Sequence, residues 1–219
     1  CSDDPIPTTH SAQYEVYNPT IDNGMVYDGG AGPLTYNHDS SIAWFDGLWH
    51  AVWNANEVPL EGVDGQYNFW ATSADFVVWT DAMKAFSDVA YSANPVPAND
   101  TTSRQWQPGL LVVGNELWSI WSEDGRDANA RGIWFSSLPA ADGRWTNHRL
   151  MFPAGSYTAA SVPVDPLVVP DNARAFVLLD GAQWKFFPTQ NPIRLASGRV
   201  LAPGILYPVQ SPATTHDWC

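Results

Sequence analysis

Two short polar stretches carry the side-chain types that move protons and grip ligands. In "YNHDSS" (Tyr36 to Ser41) an amide, an imidazole and a carboxylate stand in succession at Asn37, His38 and Asp39. Imidazole is the side chain whose unperturbed pKa allows both uptake and release of a proton near neutral pH, which makes His38 a candidate proton-transfer group. The plain alternative is an Asx-type turn that caps a strand. In "RQWQPG" (Arg104 to Gly109), Arg104 offers a guanidinium for carboxylate recognition and Gln105 and Gln107 offer amides. Trp106 presents an indole that either stacks on a sugar ring or fills a gap between sheets. Asp165 in "VPVDPL" and Arg199 in "SGR" complete the set.

Other chemistries have no footing. There is no GxSxG, no HExxH and no phosphate-binding glycine loop, and the five histidines (His10, His38, His50, His148, His216) are scattered. His50 alternates with Trp49 inside a strand, so it faces solvent or a neighbouring strand. The loop "SEDGRDANARG" (Ser122 to Gly132) spaces Asp124, Asp127 and Asn129 as oxygen ligands, but it lacks the terminal Glu of a calcium loop. No metal or cofactor is expected, calcium at that loop being the single candidate. The formal charge is -13, from 10 Lys+Arg against 23 Asp+Glu, and it repels a polyphosphate backbone; nucleic acid is not an expected partner. No uninterrupted apolar run approaches the roughly 18 to 20 residues of a membrane-spanning helix, so no membrane partner is expected.

The elements that position these residues are strands. Across 219 residues, 12 Trp, 18 Pro and 16 Gly leave little room for helices, which is the pattern of short strands joined by turns. The one helical period, Met83, Phe86, Val89 and Ala90 within Asp81 to Ala93, predicts a short connecting helix. Three segments repeat the order apolar strand, tight turn, second apolar strand: Ser41 to Ala55, Gly109 to Glu123 and Pro166 to Asp180. Their turns, Asp46-Gly47, Gly114-Asn115 and Asp171-Asn172, hold residues that tolerate positive φ. After the first two comes a strand closing on Trp-Thr, "NFWATSADFVVWT" and "GIWFSSLPAADGRWT". A three- to four-stranded meander recurring at roughly 60 residues predicts an all-β chain of propeller blades.

The blade-like repeats run over about 36–92, 104–152 and 162–200, with the start of a further blade over 200–219. Because a ring needs at least four blades, this partial β-propeller domain is expected to be completed by a second polypeptide segment. The alternative is a smaller, open domain of three sheets. In a propeller the mouths of the inner strands converge at one end of the axis, and there lie Asn37, His38, Asp39, Arg104 to Gln107 and Asp165. The insertion "WNANEVPLEGVDGQYN", with Asn54, Asn56, Glu57 and Glu61, is either a lid over that end or a solvated loop. Cys1 and Cys219 are the only cysteines and are expected in a disulfide, within the chain or to another. With the glycosylation sequon Asn99-Asp100-Thr101, they point to a secreted, extracellular glycoprotein.

"SADFVVWT" and "SSLPAADGRWT" resemble the strand-turn-Trp element of sialidase-like (Asp-box) propellers, and "IRLASGRVLAPGILYP" is similar to the segment between their blades. Within that group, "YNHDSSIAWFDGLWHAVWNAN" and "RQWQPGLL" most resemble fungal polysaccharide lyases of the rhamnosyl-glucuronate type. That resemblance implies β-elimination at a uronic acid of an acidic polysaccharide, with His38 as acid or base and Arg104, Gln105 and Gln107 holding the carboxylate. "HDSSIAWFDGLWHAVW" followed by "ATSADFVVWT" is also similar to the first blade of five-bladed arabinanase and xylosidase-type glycoside hydrolases, where Asp39 takes the place of the general base. Ser40 stands where those enzymes usually have Pro. A hydrolase of this kind needs two carboxylates, which Asp39 and Asp165 could supply. A third reading is a carbohydrate-binding propeller without catalysis.

Overall fold

The computed structural model describes residues 24–86, 90–91, 94–95, 104–123, 132–140, 142–153, 184–188, 191–198, 200–202 and 204–208. Cys1, Cys219, the Asn99 sequon, Asp165, Arg199, the Asp171-Asn172 turn and the acidic loop Asp124 to Asn129 lie outside the described residues.

The first sheet is a four-stranded antiparallel meander of β1 (Tyr36–Phe45), β2 (Leu48–Asn56), β3 (Tyr67–Ser73) and β4 (Met83–Lys84), in that order. A short pair, β5 (Ala90–Tyr91) and β6 (Asn94–Pro95), follows. The second sheet repeats the meander with β7 (Gln105–Val113), β8 (Glu116–Glu123), β9 (Gly132–Pro139) and β10 (Thr146–Pro153). Next come β11 (Trp184–Pro188), the pair β12 (Ile193–Arg194) and β13 (Val200–Leu201), and β14 (Gly204–Pro208), which pairs with β11. The turn between β1 and β2 puts Asp46 and Gly47 at φ 47° and 77°, as a two-residue hairpin turn requires, whereas between β7 and β8 only Gly114 is left-handed.

The sheets stack face to face with their first strands adjacent, the blade arrangement of a β-propeller. Leu110 N donates to Ser41 Oγ at 3.1 Å, tying β7 to β1. Period-2 alternation sends Val52, Trp70 and Phe45 of the first sheet, and Leu117, Trp121 and Trp134 of the second, into the space between them. Trp121 is fully buried and stacks on Phe86 at 4.8 Å and on Trp134 at 5.5 Å. The second sheet's other face, with Ile120, Ile133 and Phe135, is covered by β11 and Ala202. Toward the start of β1 the interface between the sheets turns polar, and Asn54, Gln66, Asn68 and Gln105 are fully buried there.

The helix expected over Asp81 to Ala93 does not form where the chain is described. Met83 and Lys84 pair instead with Trp70 and Phe69, and the chain then turns Phe86 into the core between the sheets. Apolar spacing that fits a helix also fits a short edge strand followed by a buried anchor, and the open edge of β3 selects the strand. Of the two settings open to His50, solvent or a neighbouring strand, the structure takes the second. It is buried against the neighbouring strand, stacked on Trp70 with its Nδ1 accepting the Trp70 indole N–H and its Nε2 donating to Phe45 O, each at 3.2 Å.

Candidate functional site

β1 and β7 break register at equivalent places, between His38 and Ser41 and between Trp106 and Gly109. In each break two residues oppose one buried tryptophan, Trp53 or Trp121. The first of the two is left-handed: Asp39 at φ 50° and Gln107 at φ 44°. Such a conformation costs a non-glycine residue of order 1–3 kcal/mol and re-aims its side chain out of the alternating pattern.

The bulge turns the Asp39 carboxyl into a crowded setting, with the side chain only 20% exposed. His38 Nδ1 lies 3.2 Å from Asp39 Oδ2 and 3.6 Å from Glu61 Oε1. Burial pushes the Asp39 carboxyl above the usual carboxylate range and the Glu61 charge adds to that, while His38 and a hydrogen bond from Gln107 oppose it. Tyr36, one alternation before His38, hydrogen-bonds Glu61, and burial raises its phenol well above the ordinary value. Tyr36, His38, Asp39, Glu61 and Gln107 therefore form one connected polar group. A cavity of about 450 Å³ opens on the flank of β1, lined by Met25, Tyr27, Asn37, His38, Asp39 and Trp53 among others.

Among the described residues, the other expected binding residues all make contacts within the protein. Asn37 Oδ1 accepts the Trp53 indole N–H at 2.9 Å and its Nδ2 donates to Leu34 O at 2.8 Å. Gln105 is buried, its Oε1 accepting Asn68 N at 2.9 Å and its carbonyl accepting Gln66 Nε2 at 2.8 Å. Arg104 donates from Nη1 to Gly62 O at 3.3 Å and its Nε sits 3.7 Å from Asp64. Trp106 packs its ring edge over Gly62. The structure thus joins His38 and Asp39 and brings in two residues the sequence did not place at the centre, Glu61 and Tyr36. Glu61 stood in a loop of undetermined course; Tyr36 was legible through its two-residue spacing from His38. Nitrogen and oxygen atoms of His38, Asp39 and Glu61 lie within 4.8 Å of one another.

No family model matches the chain, and no curated protein matches it significantly. Among solved structures, it is similar to a Trypanosoma rangeli sialidase in complex with a difluoro sugar acid, at 17% identity and TM-score 0.49, over 80% of this chain and 26% of that one. A family 117 glycoside hydrolase of the marine bacterium Zobellia galactanivorans is similar at 15% identity and TM-score 0.42, over 88% of this chain and 57% of that one. A native Bacillus subtilis arabinanase is similar at 17% identity and TM-score 0.33, over 68% and 47%. The chain spans between about a quarter and just over half of the length of these proteins, and the activities in their names are theirs.

Proposed function

We propose that the chain carries the catalytic residues of a carbohydrate-active enzyme that hydrolyses a glycosidic bond, with Asp39 as proton donor and Glu61 as its partner carboxylate. The observation that carries this reading is the pairing itself: a partly buried carboxyl raised above its ordinary range beside a second, half-exposed one. A carboxyl whose acidity is weakened by burial is suited to donate a proton. Their approach within 4.8 Å is nearer to the roughly 5 Å spacing of retaining glycosidases than to the wider gap that admits a water between them. In that sequence Asp39 passes its proton to the glycosidic oxygen as the bond to the anomeric carbon breaks and Glu61 attacks that carbon. Water then displaces Glu61, returning its proton to Asp39. His38, between the two, orients them.

β-Elimination at a uronic acid is supported less well. It needs a cation to neutralise the substrate carboxylate, and the guanidinium at hand, Arg104, is engaged by Asp64 and Gly62. We extend the proposal to a secreted protein whose ring is completed by a further segment and whose substrate is a polysaccharide. The test is incubation of the full chain with neutral and uronate-containing polysaccharides, following reducing ends and the ultraviolet absorbance of an unsaturated uronate. Reducing ends without absorbance are expected. Absorbance rising with each cleavage would establish elimination instead, and binding without cleavage would leave a carbohydrate-binding propeller.

A further inference from the structure

We propose that Arg104 is a positioning residue that latches the loop bearing Glu61 across the interface between the blades, so that the second blade sets the spacing of the two carboxyls. The inference rests on the hydrolytic reading and deepens it. The loop runs from Glu57 to Gln66 between β2 and β3, and Glu61, about half exposed, stands midway along it. A loop of that length without strand pairing is free to swing unless something outside it holds it. Its root is held by the second blade: Gln105 N donates to Gln66 O at 3.0 Å and Gln66 Nε2 donates to Gln105 O at 2.8 Å. From that root, Gln66 Oε1 reaches back to accept Gly62 N at 2.9 Å.

Its middle is held by the same blade. Arg104 grips residues on both sides of Val63, through Gly62 O and the Asp64 carboxylate, while its own backbone N–H is fixed by Glu123 Oε1 at 2.8 Å. Gly62 is left-handed at φ 69°, and a Cβ there would stand 3.1 Å from Trp106 Cη2, so the indole lies flush on that backbone. Three residues beyond Arg104, inside β7, Gln107 bonds Asp39. The run Arg104 to Gln107, which leads into β7, therefore touches Asp39 at one end and clamps the neighbour of Glu61 at the other. Both Arg104 and Asp64 are more than two-thirds buried, where a planar fork holds geometry that a lysine would not.

The test reads Asp39 directly, because the Glu61 charge adds to burial in raising its pKa and that addition depends on where the loop holds Glu61. The groups facing Asp39 are Tyr36, His38, Glu61 and Gln107. In the full chain carrying ¹³Cγ-labelled aspartate, Glu61→Gln is expected to lower the Asp39 midpoint, Arg104→Met to lower it in the same direction, and the double variant to add nothing. Gly62→Ala, which pushes the loop off Trp106 from the other side, should act like Arg104→Met, and Arg104→Lys should restore the midpoint only in part. On a cleaved polysaccharide, Arg104→Met should lower kcat by about 10- to 100-fold with KM little changed. An Asp39 midpoint that moves in Glu61→Gln but stays put in Arg104→Met overturns the latch, as does one that Glu61→Gln leaves unmoved. The hydrolytic reading fails separately, if Asp39→Asn retains cleavage.

Discussion

Asp39 and Gln107 occupy the same position in two successive inner strands, each the left-handed residue of a bulge opposite a buried tryptophan, and the Gln107 amide donates to the Asp39 carboxyl. The repeat that builds the blades therefore delivers two different side chains to one point. If Asp39 must be protonated to act, activity is lost as pH rises through its pKa. Gln107→Glu removes the donor that lowers this pKa and adds a charge that raises it, so the high-pH limb of the pH–rate profile should move to higher pH. Gln107→Met, which only removes the donor, should move it less. A limb fixed in both variants would contradict the contact.

Asp39→Asn is the direct probe of proton donation. Asn tolerates the left-handed conformation, so the bulge should survive and the melting temperature should stay near that of the parent. Turnover is expected to fall by roughly 10² to 10⁴-fold, with His38→Ala less severe. The reverse order would favour His38 as the proton-transfer residue and elimination as the reaction.

His50 predicts a pH dependence of stability. Burial holds its pKa below the ordinary value of 6.5, and the acceptor at Nδ1 requires the neutral ring. Below about pH 6.5 the unfolded chain binds a proton that the folded chain refuses. Stability should therefore be level above that pH and decline beneath it until the folded pKa is passed. Urea denaturation of His50→Gln between pH 7.5 and 5 should show a flatter dependence than the parent, and parallel curves would refute the assignment.

Asp75 predicts an acid-side loss. Its carboxylate accepts the N–H of Val78 and Val77, each at 2.9 Å, and the Ser73 hydroxyl, which hold its pKa below the ordinary range. The contribution is complete above the unfolded pKa and vanishes as pH falls through the folded one. Asp75→Ala should lower the melting temperature at pH 7, and the difference from the parent should shrink at strongly acid pH.

Trp121→Ala removes the indole that joins Phe86 to Trp134 and donates to Ser136 Oγ at 3.0 Å. A loss of about 3–5 kcal/mol is expected in urea titration. A loss under about 1 kcal/mol would show that the blades do not pack through this residue.

The sequence by itself determined the strands, the hairpin at Asp46-Gly47 and the standing of His38 and Asp39 at the head of an inner strand. These follow from side-chain alternation and turn chemistry, which act over a few residues. Where a residue's partner lay far along the chain, only the tertiary structure decided. Glu61 reaches His38 because Arg104 and Gln105, some forty residues on, hold its loop. The sequence offers Asn37 and Gln105 as amides without saying what they bond inside the chain, and the fold supplies the buried Trp53 indole to one and the Asn68 N–H to the other. Met83 and Lys84 form a strand because β3 offers an open edge, and backbone groups beside such an edge gain more from pairing across it than from starting a one-turn helix.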